Sequence, residues 1–215
     1  MDKNKGGNIL RDFKKIKNAI CFSVINRKTN EEVLKELPHI EVLDLAILFY
    51  YKRDKGFEEG AISIIRSEDV KRWGIALEEL HQVATENTQR LLPSIFQTIE
   101  KVMEKIAKEE NLPSPCDEEP RERMYVLTNE EKYLGAGTIL YPGVLQKIYK
   151  RLGVGFFVIP SSTHEVIIMK DTGSVTAENL QSLVVDMNKH FLDAEEVLSD
   201  NIYRYDIEKD ELVMT

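Results

Sequence analysis

Residues 153–171 read GVGFFVIPSSTHEVIIMKD. Two short apolar runs, Phe156–Ile159 and Val166–Met169, flank a polar corner, Pro160–Glu165. Apolar runs of this length, broken by turn chemistry, read as buried strands, and two so close in sequence make a hairpin. A chain built on such a hairpin needs a sheet to hold it and helices to cover that sheet. The fold class expected is α+β: an antiparallel sheet made of β-hairpins, with helices packed on one face.

The rest of the chain fits that frame. Ile9, Leu10, Phe13 and Ile16 recur at helical spacing, which predicts a helix over about 8–18. Residues 19–26 form an apolar, partly β-branched run and read as a strand. Asn30 is placed to cap a short helix over 31–36, and Pro38 closes it. Residues 43–52 and 61–66 read as an antiparallel hairpin around a mobile loop, DKGFEEG. Ser67 is placed to cap a helix over 68–73, which Gly74 stops. Leu77, Leu80, Ala84, Thr88 and Leu91 give one face of a helix over 76–91, broken by Pro93. Ser94 then opens a further helix, with Ile95, Ile99, Val102, Met103 and Ile106 as its stripe.

Residues 111–123, NLPSPCDEEPRER, hold three prolines and six charges and read as an exposed linker. It would separate a helix/hairpin/helix half, 1–110, from a hairpin-rich half, 124–215, the two forming one compact unit. In the second half Met124–Leu127 and Gly135–Leu140 read as a second hairpin. Pro142 suits the first turn of a helix over 144–152, ended by Gly153. Thr176 caps a helix to about His190, with Leu180, Leu183, Val184 and Met187 inside. A strand over 201–207, a charged turn and a short apolar end, 212–214, close the chain. The helix ends KRWG and KRLG match, as do VATENTQRLL and VTAENLQSLV, which is compatible with an internal duplication.

Six blocks in order carry a family likeness: LPHIEVLDLAI, EELHQVATENTQRLLP, MYVLTN, GTILYPGVL, IPSSTHEVII and VLSDNIYRYD. Over residues 20–206 the chain resembles a bacterial domain-of-unknown-function family, number 5688. The "ED…WGI…EEL" segment also resembles the uncharacterised YtpQ-like family. These resemblances imply a bacterial, cytoplasmic protein. They supply no substrate, cofactor or catalytic residue.

Charge narrows the function classes. The net charge is −8, yet residues 1–28 hold eight basic residues against Asp2 and Asp12. The remaining body is therefore strongly acidic and repels phosphate backbones, so nucleic acid is an unfavoured partner. The basic start could still touch a phosphate or an acidic partner; its simpler use is the solvated face of an amphipathic helix. No run approaches the length of a membrane span, and the N-terminus lacks the apolar middle of a secretory signal. Cys21 and Cys116 lie in unlike settings and read as free thiols in a cytoplasmic protein.

The densest group of reactive side chains is the corner itself. Ser161, Ser162, His164 and Glu165 form the candidate binding corner. On an extended strand Ser162 and His164 would share a face and Glu165 would point away. A Ser–His–acid device would then need its acid from elsewhere, with Asp44 or Asp200 as candidates. No GxSxG elbow is present. The simpler reading is a turn in which the serines bond back to the backbone.

Other motifs fail on spacing. His39-Ile-Glu41 is half of a zinc deaminase signature, but Pro115-Cys116 lacks its second cysteine. Thr85 stands where a zinc helix containing His81 would need another histidine, and His190 ends a helix. Gly135 and Gly137 form a lone GxG without the third glycine of a dinucleotide site. Tyr203 and Tyr205 could stack on bases, but cross-strand packing is the simpler use. No motif implies a metal or a cofactor. The favoured expectation is a non-catalytic binding or interaction module with an unknown protein or small-molecule partner. The rivals are a small hydrolase or transferase using Ser162 and His164, and a nucleic-acid-associated factor using the basic N-terminal helix.

Overall fold

The computed structural model describes residues 12–53, 62–113 and 124–215. The start of the N-terminal helix, the DKGFEEG loop and most of the 111–123 segment, Cys116 included, lie outside the described residues. The chain divides into two compact units, Met1–Pro93 and Ser94–Thr215. The division falls at Pro93 because the segment after it pairs with a strand of the second unit.

In the first unit, α1 (Phe13–Ile16) and a 3-10 turn (Lys17–Ala19) lead into β1 (Ile20–Asn26). α2 (Glu31–Leu34), β2 (His39–Val42), β3 (Leu45–Lys52), β4 (Ile62–Ile64), α3 (Ser67–Trp73) and α4 (Leu77–Leu91) follow. The apolar strand β3 is central: β1 pairs with it along its whole length on one edge, and β2 and β4 share the other. The expected pairing of residues 43–52 with 61–66 is therefore present as β3–β4, but β2–β3 forms a further hairpin turned at Leu43, whose φ is 57°. Leu34 and Leu37 pack on Ala46 and Leu48.

The caps differ from the expected ones. Asn30 turns its side-chain amide back to the Asn26 carbonyl, 2.9 Å, so it does not cap α2. Ser67 lies inside α3, and the Asp69 carboxylate accepts from the Arg66 N–H at 3.0 Å. Gly74 ends α3 at φ 67°, as expected. Two polar residues of α4 seal the outer edge of β1. Thr88 Oγ1 accepts from the Phe22 N–H at 2.9 Å, and Asn87 Nδ2 donates to the carbonyls of Lys17 and Ile20. A strand edge with unmet N–H groups invites another chain, and these side chains occupy it.

The second unit contains β5 (Ser94–Thr98), α5 (Ile99–Glu109), β6 (Met124–Asn129), a 3-10 segment (Gly135–Leu140), α6 (Val144–Leu152), β7 (Phe156–Pro160), β8 (Val166–Lys170), α7 (Ala177–Phe191), β9 (Tyr203–Asp206) and β10 (Glu211–Met214). Its six-stranded antiparallel sheet has the order β10-β9-β7-β8-β6-β5. The central β7–β8 hairpin is as expected, with Ile159 opposite Ile167.

Residues 94–98 correct the sequence reading: they form a strand, not the start of a helix. Phe96 stacks on Tyr125 with ring centroids 4.7 Å apart, under the Arg151 guanidinium, and that packing outweighs the helical stripe. The helix begins at Ile99, capped by Thr98. Residues 135–140 are likewise a 3-10 segment instead of a strand, and β6 pairs with β5 and β8.

Helices also lie on both faces of this sheet, where one face was expected. Phe157 and Ile159 meet Leu180 and Val184 of α7. On the opposite face Phe156 stacks on Tyr205, and Tyr149 of α6 lies against the same ring. Thr176 caps α7 as predicted, but Leu183 and Met187 are exposed and not inside. Tyr203 and Tyr205 are buried beside Met214 and Leu212, so they serve cross-strand packing and present no face to a base.

The Tyr205 hydroxyl donates to Asp210. Burial, that bond and the charges of Asp210 and Asp206 push its pKa up to about 12. A phenol whose pKa is raised on folding stabilises the fold fully below its unfolded value, near 10, and loses that contribution as pH rises towards 12. Urea unfolding of the wild type and Tyr205→Phe should differ by about 1 kcal/mol at pH 8. That gap should close as pH rises from about 10 to 12.

Candidate functional site

The corner between β7 and β8 is a junction of three chain segments. Within it, the Ser162 N–H donates to the Glu165 carbonyl at 3.1 Å, and Ser162 Oγ accepts from the His164 N–H at 3.0 Å. From the end of β6, Thr128 Oγ1 donates to the His164 carbonyl at 2.7 Å. From the 3-10 segment, the Ala136 N–H donates to the Thr163 carbonyl. From the turn after α7, the Glu196 carbonyl accepts from the Thr163 N–H at 3.0 Å.

The His164 imidazole is held from several sides. Nδ1 accepts from the Leu134 N–H at 3.0 Å. The neutral ring therefore carries its proton on Nε2, which faces the Glu196 carboxylate at 3.6 Å. The Tyr133 ring lies over it, centroids 5.0 Å apart. Asn129 fixes that loop: its side chain donates to the Tyr133 carbonyl and accepts from the Tyr133 N–H. Leu134 itself adopts φ 52°, a left-handed conformation that a branched residue holds only when its surroundings enforce it.

Gly135 explains the tightness. A Cβ there would sit 2.2 Å from Thr128 Oγ1, 2.6 Å from the His164 carbonyl oxygen and 2.8 Å from the Asn129 nitrogen. Gly135 of the lone GxG is a point of close approach between backbones.

The sequence-derived site residues are distributed as follows. Ser161, Ser162, His164 and Glu165 all lie at the corner, with Ser162 buried and the other three half-buried. Ser162 meets the backbone N–H of His164, not its ring. The acid facing the ring is Glu196, which the sequence reading did not single out. Asp200 accepts from Asn188 at 2.8 Å, and Asp44 belongs to the β2–β3 turn of the first unit. His39 Nδ1 is 2.9 Å from the Leu37 carbonyl, while Glu41 pairs with Arg27. His190 Nδ1 lies 2.9 Å from the Asp186 carbonyl. His81 stands against the edge of Phe49, and burial lowers its pKa. Among the described residues no group of three or more His, Cys, Asp or Glu could hold a metal ion. No helix of the described residues is long and apolar enough to cross a membrane.

A concavity lies wholly within the first unit. It measures about 700 Å³ and is lined by Lys15, Lys52, Arg53, Glu86, Asn87 and Arg90, among others. Only Lys15 belonged to the basic stretch noted in the sequence. Lys52, Arg53 and Arg90 come from the end of β3 and the last turn of α4, so no local motif links them.

A model of the family of unknown function DUF5688 matches residues 2–207. The chain belongs to that family. No curated protein and no solved structure matches it. The family match spans nearly the whole chain, both the corner and the basic cleft of this DUF5688 member included, and it attaches no activity to either.

Three substitutions at two positions probe the corner. Gly135→Ala should cost about 3 kcal/mol, because the added methyl meets backbone atoms that cannot turn aside. His164→Leu should cost about 1–3 kcal/mol by orphaning the Leu134 N–H, whereas His164→Asn, whose Oδ1 can stand in for Nδ1, should recover most of it. Urea unfolding midpoints of the three variants check both statements.

Proposed function

We propose that this chain is a non-catalytic binding module of the bacterial cytoplasm. The observation that carries the reading is the engagement of the corner's reactive atoms by backbone. Ser162 Oγ receives the His164 N–H, and His164 Nδ1 receives the Leu134 N–H. A nucleophilic serine needs its proton taken by an imidazole nitrogen within reach, and that relation is absent among the described contacts. The corner works instead as a rigid rim that presents half-buried Ser161, His164 and Glu165 beside Glu196. The unlike sequence settings of Cys21 and Cys116 favour a reducing compartment. The acidic body favours a protein or small-molecule partner over nucleic acid.

Treatment of the intact chain with a fluorophosphonate probe tests the reading. No covalent adduct is expected. Stoichiometric labelling that disappears in Ser162→Ala would overturn it in favour of a hydrolase or transferase.

A further inference from the structure

The cleft of the first unit gathers positive charge in a chain that is acidic overall. The chain carries −8, yet four cationic side chains, Lys15, Lys52, Arg53 and Arg90, line this one concavity, where Glu86 is the carboxylate among the described lining residues and Lys15 also meets Asp12 at 3.8 Å. Like charges gathered in a concavity repel one another, and an anion seated among them relieves that repulsion. The smaller cleft near β2 offers a contrast. Its lining balances Arg27, Lys28 and Lys35 against Glu31, Glu41 and Asp44.

Two guanidinium groups make the basic cleft more than a diffuse field. Arg90 is positioned by α4 and fixed through one nitrogen: Nη2 donates to the Asn18 carbonyl at 2.8 Å and to Asn87 Oδ1 at 2.9 Å. Asn87 is itself anchored to the Lys17 and Ile20 carbonyls. A guanidinium has five N–H donors, so anchoring Nη2 leaves Nη1 and Nε, which have no partner among the described residues. Arg53 holds Ser63 Oγ through Nη2 at 3.4 Å, while its Nε is buried without a hydrogen-bond partner among the described residues. A buried charged donor left unmet is costly, and an acceptor in the cleft would satisfy it.

We propose that this cleft binds a phosphorylated small molecule, with Arg53 and Arg90 as the principal phosphate donors and Lys15 and Lys52 as flanking charges. Arginine's planar fork matches phosphate oxygens in pairs, and lysine adds point charge. A volume of about 700 Å³ is that of a small-ligand site. A concavity of this size encloses a compact phosphate ester, whereas a nucleic acid would need a row of cations continuing beyond it. The proposal rests on the binding-module reading and names the ligand class. Inorganic polyphosphates and nucleotides share the recognised chemistry.

Calorimetric titration of the full chain at low ionic strength with sodium pyrophosphate, with ATP and with a short single-stranded DNA tests it. Saturable one-site binding of pyrophosphate or ATP is expected. Arg53→Gln should weaken it by about tenfold or more, as should the pair Lys15→Gln and Lys52→Gln, and Glu86→Gln should strengthen it. Each variant is first shown to keep the wild-type circular dichroism and melting curve. Equal binding of pyrophosphate and ATP supports recognition of the phosphates alone, and preference for ATP supports a nucleotide. Three results overturn the proposal: no saturable binding of either compound, binding unchanged in the variants, or tighter binding of the DNA. Any of these leaves the binding-module reading standing, whereas covalent labelling of Ser162 overturns that reading and leaves the cleft measurement untouched.

Discussion

Gly135 sits where the end of β6, the corner after β7 and the 3-10 segment come together, at a separation that no Cβ would permit. The approach is close enough for the Leu134 N–H to reach the His164 ring and for the Ala136 N–H to reach the Thr163 carbonyl. Those bonds set which atoms of the corner face inward. The chemistry available at the corner is thus decided by a residue without a side chain. The strained Leu134 just before it is held in place by the same contacts.

The β7–β8 hairpin was legible because two apolar runs bracket a polar turn, and such a pattern has few other solutions. The caps and the residues 135–140 were less legible. A segment rich in Gly, Thr and Ile has strand composition, and the close approach that turns it into a 3-10 run involves residues before and after it in sequence. Residues 94–98 misled for a different reason. The stripe Ile95, Ile99, Val102 and Ile106 has a helical period, but Phe96 finds Tyr125 and Arg151 far along the chain. Tertiary packing overrides local period in short segments. On α7, Leu183 and Met187 continue the apolar stripe beyond the strip that Phe157 and Ile159 can cover, so their exposure could not be read from spacing alone.

The corner and the basic cleft differ in the same way. Ser161, Ser162, His164 and Glu165 are neighbours in sequence, so their convergence was visible at once. Their partners were not: Leu134 and Glu196 lie about thirty residues to either side of His164. The basic cleft had almost no signature. Lys15 stood out only as part of a charged N-terminal stretch. Lys52 and Arg53 close a strand, and Arg90 closes a helix. A net negative total hides a local positive site, because charge sums discard position.

The side chains of α4 place two duties on one helical turn. Asn87 and Thr88 close the open edge of β1, and Arg90, tethered to Asn87, lines the basic cleft. Resistance to edge-to-edge association and the arrangement of the cleft's cations are consequently written in the same few residues. A substitution that remodels one disturbs the other.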